Sequence, residues 1–195
     1  MKRSVKLFVG RYRSEMLMCA FVAEILASPL ADRSAHIGGL LAFVEFSLLF
    51  VGVNFMANQG VAKKVVFPVA GIWFFARFLE AFGDSRHFYT HLAPAAGLAF
   101  SCAILWAMLG HVHSGARVRS SMISEAFIIY LLIAIAFSQL YWTLEHLLGN
   151  TFNQVIPFGQ SSGFMYFSMT TLTGLGYSTI APINPYVRLV AALRT

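Results

Sequence analysis

Charged side chains are scarce in this 195-residue chain, with 14 Lys and Arg against 8 Asp and Glu, or 11% of all residues. An ordinary soluble domain carries about a quarter. Together with 58% apolar residues and a mean hydropathy of +0.70, this excludes a water-soluble domain of average make-up and points to a membrane chain. Cysteine is almost absent. Cys19 and Cys102 stand singly in apolar runs, which excludes a disulfide framework or thiolate metal site and predicts small buried hydrophobes. A Ser-His-Asp constellation is missing around Ser124, Ser138 and Ser168, so hydrolase chemistry has no footing. His87 with His91 and His111 with His113 have metal-compatible spacing but no acidic or cysteine partner, and read as solvated residues near the membrane edges. The expectation is a protein that is not an enzyme and uses no cofactor. The basic excess sits beside apolar runs, where it sets orientation in a bilayer, so a nucleic-acid partner is excluded as well.

What the chain does have is long apolar runs: Met16–Leu30, Ile37–Met56, Val65–Phe82, Ala93–Val112 and Ala126–Leu148. The last four are about 18–23 residues each, enough at 1.5 Å per residue to cross roughly 30 Å of hydrocarbon. Their continuity excludes barrel strands, which alternate. Glu24 within the first run, and no clear small-x-small cleavage site, predict a retained span rather than a signal peptide. Basic residues recur at every second connection: the N-terminal cluster, Lys63 with Lys64, and Arg117 with Arg119. Those connections read as cytoplasmic, and 146–153 falls outside. The predicted fold is an all-α polytopic membrane helical bundle in a cytoplasmic (inner) membrane, N-terminus inside. Residues 1–120 form a four-span N-terminal bundle and residues 121–195 a second module.

Four ionisable residues fall at membrane depth: Glu24, Glu45, Arg77 and Glu80. Arg77 and Glu80, three apart, share a helix face, and read either as an ion-paired cluster holding the bundle together or as a sensing element. Ala93 to Leu109 in the fourth run is uncharged, so a voltage sensor built from basic residues at every third position is excluded there.

Beyond the fifth run, Pro157, Gly159 and Gly163 break the chain, and the helix-compatible piece Ser161–Leu172 is only about three turns long. This predicts a re-entrant half-helix, with Ser161 or Ser162 as its cap and its C-terminal dipole end favouring a cation. The stretch TTLTGLGYSTI follows, over 170–180. Gly174 and Gly176 permit positive φ, which lets successive carbonyls face one side and replace the hydration shell of a cation.

Met169–Pro182, MTTLTGLGYSTIAP, resembles the pore loop of potassium channels, in which a threonine-rich helix end is followed by Thr-Val-Gly-Tyr-Gly-Asp. With its four upstream spans and an outer helix carrying Tyr130, Tyr141 and Glu145, the chain is similar to bacterial six-span potassium channel family proteins. The resemblance implies an outer helix, a re-entrant pore helix and a selectivity-filter loop. It implies ion coordination by Thr173, Gly174, Leu175, Gly176, Tyr177 and Ser178. It also implies filter support from Tyr166, Phe167, Thr170 and Thr171, K+ as the permeant monovalent cation, and a homotetramer in the lipid bilayer, because one loop supplies a quarter of a ring. The sequence departs from the family pattern where Gly174 stands for its second threonine, Ser178 for its second glycine and Thr179 for its aspartate. A weakly selective cation channel is therefore an alternative. The chain stops at Thr195, in the first turns of the expected inner helix. A third reading is a non-conducting truncated subunit that associates with complete pore partners.

Overall fold

The computed structural model describes residues 18–19, 21–23, 25–30, 60–82, 86–113, 121–154, 162–176 and 178–193. They are mainly helical, and no strand occurs among them. The helices are α1 (Phe21–Leu30), α2 (Gly60–Phe82), α3 (Arg86–His113), α4 (Ser121–Leu148), α5 (Ser162–Leu172) and α6 (Pro185–Ala192). The expected span Ile37–Met56 lies outside the described residues, as do Glu24 and Glu45. Arg77 and Glu80 stand one turn apart on α2, and their side chains are likewise outside what is described.

Two expectations need correction. The connection between the runs Val65–Phe82 and Ala93–Val112 is shorter than the gap between them, because Arg86–Leu92 already belongs to α3; RHFYTHL contains no glycine or proline to break it. Cys19 and Cys102, expected to be buried, are exposed. An apolar helix face turned outward has the same composition as one turned inward, and sequence alone does not separate them.

α2 packs on α3, α3 on α4, and α4 on α5. The buried face of α4 runs Ile128, Leu131, Leu132, Ile135, an i, i+3, i+4, i+7 stripe, and meets Trp73 and Ala76 of α2 with Phe100 and Ile104 of α3 in one core. Trp73 stacks on Phe100 with ring centroids 5.1 Å apart. Among the described residues one helical stretch, Ile123–Leu148, is long and apolar enough to cross a membrane; the apolar stretches Lys64–Ala76 and Ala95–Ala107 are shorter, about 20 Å each.

α4 ends where Gly149 and Asn150 take positive φ, 65° and 50°, and the Gly149 N–H donates to Glu145 O at 2.9 Å. That is the left-handed stop that glycine favours. α6 begins at Asn184-Pro185: the Asn184 side chain accepts from the Tyr186 N–H at 2.9 Å, and Pro185 occupies the first turn, where a missing N–H costs nothing.

Candidate functional site

The site is built from the C-terminal end of α5 and the turn that leaves it. A cluster of edge-on rings holds α5 against α4. Phe167 lies 5.0 Å from Tyr141 and 5.5 Å from Phe152, and Phe152 lies 5.4 Å from Phe164, centroid to centroid. All four are buried. One turn on, the buried Ser168 Oγ donates to Ala134 O of α4. Phe167 therefore faces α4, whereas Tyr166, beside it in sequence, is half exposed on another face of the helix.

The last turn of α5 is capped by its own threonines. Thr170 Oγ1 donates to Tyr166 O at 3.0 Å and Thr171 Oγ1 to Phe167 O at 2.7 Å, while Thr173 Oγ1 donates to Met169 O at 2.9 Å. A hydroxyl whose proton is given back to the helix keeps its lone pairs for another partner. Three peptide N–H groups of the turn also point back at the helix end: Thr173 to Met169 O at 3.0 Å, Gly174 to Thr171 O at 3.2 Å and Gly176 to Thr170 O at 3.2 Å. They satisfy carbonyls that the end of a helix otherwise leaves without a partner.

The direction of the neighbouring carbonyls follows from peptide geometry. No peptide bond among the described residues is cis, and in a trans peptide the C=O points opposite to the N–H it is joined to. The N–H groups of Gly174 and Gly176 face α5, so the carbonyls of Thr173 and Leu175 face away from it. The backbone needed is one of alternating hand. Gly174 has φ +71° and Gly176 φ +65°, while Leu175 between them stays out of the positive region. A Cβ at either glycine would meet no atom within 4 Å. The conformation, and not crowding, is what calls for glycine here.

Thr173, Gly174, Leu175 and Gly176 are all exposed in the single chain, Leu175 at 57%. Ser178 Oγ accepts from the Ile180 N–H at 3.2 Å, which leaves its own proton free to donate. Tyr177 lies outside the described residues. From 146 to 195 the sequence contains no Asp or Glu, so the oxygens that the turn itself offers a cation are neutral. Among the described residues no group of three or more His, Cys, Asp or Glu comes together.

Sequence reasoning missed the outer support of the turn. Glu145 takes both the Thr151 N–H, at 2.8 Å, and the Thr151 hydroxyl, and fully buried Thr151 passes that restraint to the segment after the turn through its carbonyl, which accepts from the Ile183 N–H at 2.8 Å. The local signal was slight: an acidic residue at the end of α4 followed six positions later by a threonine. No family model, curated protein or solved structure matches this chain.

Proposed function

We propose that the chain is a subunit of a cation channel, in which the turn 173–178 passes monovalent cations, potassium first, over backbone carbonyls. The observation that carries the reading is the pair of glycines at positive φ, whose N–H groups are turned back to α5 while the carbonyls of Thr173 and Leu175 turn to the open side. Neutral oxygens suit a cation of low charge, because a divalent ion holds its water more strongly and is usually met by carboxylates. Two carbonyls from one chain fall short of a hydration shell. A ring of copies closes the shortfall, so the reading includes a homotetramer around the turn. It also includes a multi-pass bundle in the cytoplasmic membrane with the N-terminus inside. Outward apolar residues such as Ile72, Phe75 and Ile123 would then face lipid.

Gly174 and Ser178 favour one second reading, a channel of weak selectivity. Gly174 brings no hydroxyl to the innermost position, and Ser178 carries a Cβ where the family pattern has glycine.

Reversal potentials in opposed K+ and Na+ gradients, measured on the purified chain in liposomes, decide between them. Potassium selectivity predicts a reversal potential close to the K+ equilibrium value; a value near zero favours the weakly selective channel; no current overturns conduction by this chain.

The topology has its own test. In a cysteine-free background, Gln154→Cys is expected to react with an impermeant thiol reagent from outside the cell, while Ser120→Cys reacts only after permeabilisation. The reverse pattern would invert the bundle and place the turn on the wrong side.

A further inference from the structure

The segment that leaves the glycine turn is held by the stretch 151–153 ahead of α5, through bonds that the conduction reading does not use. Asn153 makes three of them. Its N–H donates to Ala181 O at 2.9 Å, its side-chain Oδ1 accepts from the Ala181 N–H at 2.8 Å, and its Nδ2 donates to Thr179 O at 3.1 Å. Both peptide groups of Ala181 are thus taken by a single residue 28 positions earlier. The tie continues downstream: Phe152 and Pro182 form an antiparallel bridge, Thr151 O accepts from Ile183 and Asn184, and Arg188 Nε donates to Pro182 O at 2.9 Å. The planar amide offers Ala181 an acceptor and Thr179 a donor from two separate atoms of the same short side chain. Aspartate keeps the first and loses the second; alanine loses both.

We infer that Asn153 is a positioning residue for the outer mouth of the conduction path: by holding Thr179 and Ala181 it fixes where the carbonyl-bearing turn ends. The inference rests on the channel reading. Asn153 is exposed, so water competes for its bonds and their loss weighs little on the stability of the whole fold. Their leverage is local, since all three act on 179–181, three to five residues beyond Gly176.

The purified chain in liposomes and in detergent tests this. Asn153→Ala is expected to lower the K+/Na+ permeability ratio by about three- to tenfold, the shift that two lost water-exposed hydrogen bonds at the weak end of their range produce together in a two-state equilibrium. Exchange of the Ala181 amide with deuterium should quicken by a similar factor, with thermal unfolding unchanged. Asn153→Asp separates the two bonds. Ala181 should stay protected, because its acceptor remains, while the permeability ratio still falls, because Thr179 O now faces an anionic oxygen in place of a donor. If the parent chain is selective and either variant keeps its ratio, or if Ala181 exchange is the same in Asn153→Ala, the positioning role is overturned and the channel reading stands. A parent chain that passes no cation overturns both.

Discussion

If the proposed channel reading holds, Gly176→Ala is expected to abolish selective cation flux while leaving insertion and assembly intact. The Gly176 φ of +65° is disfavoured for an L-residue by about 1–2 kcal/mol, although the added methyl would meet nothing within 4 Å. The methyl therefore acts through the backbone alone. Relief comes by returning φ to negative values, which breaks the N–H contact with Thr170 O and swings the Leu175 carbonyl, on the same peptide plane, off the open side. Gly71→Ala is the control. Gly71 lies within α2, also with open space around a Cβ and without positive φ, so there the same substitution should stabilise by about 0.5–1 kcal/mol and leave flux unchanged. Flux and K+/Na+ preference measured on both variants check this; an alanine at 176 that conducts like the parent would remove the glycine turn from the conduction path.

The parts legible in the sequence are those set by one or two adjacent residues. The paired glycines mark the reversal after α5 because each acts through its own φ, and Asn184-Pro185 at the start of α6 and Gly149 at the stop of α4 carry local signals of the same kind that sequence reasoning passed over. The extent of α5 was readable to within a residue for the same reason. What was not legible lies in contacts between distant segments. Nothing near Asn153 announces Ala181, and nothing in α4 says that Glu145 will hold Thr151 instead of another charge. The threonines show the difference within one motif. Their presence at the helix end was plain, but hydroxyl bonds to carbonyls three and four residues back follow from the helix geometry and not from composition. Tyr166 and Phe167 adjoin in the sequence, but neighbours on a helix point about 100° apart, and of the two it is Phe167 that enters the cluster on α4.

That cluster sets the other large effect. Two of the contacts that anchor α5 beside Met165 in the main core are the rings of Tyr141, Phe152, Phe164 and Phe167, and the Ser168 hydroxyl on Ala134 O. Magnitudes decide which dominates. Ser168→Ala removes a donor from a helix carbonyl that belongs to the regular ladder of α4, so the loss is one side-chain hydrogen bond, about 1 kcal/mol. Phe167→Ala empties roughly 100 Å³ beside two rings, which at about 24 cal/mol per Å³ costs about 2.4 kcal/mol, and it removes two edge-on ring contacts worth about 0.5–1.5 kcal/mol each. Lipid is as apolar as the core, so in a bilayer the transfer part of such a loss is small, and this packing part is what survives. The expected result is a fall of about 3 kcal/mol or more in the unfolding free energy for Phe167→Ala, against about 1 for Ser168→Ala. Phe167→Leu should lie between, because it refills much of the volume without restoring the ring contacts. Denaturant titration of the three variants in mixed micelles gives the ranking. An alanine at 168 that costs more than one at 167 would mean that α5 hangs on α4 by its hydrogen bond and that the rings merely fill space.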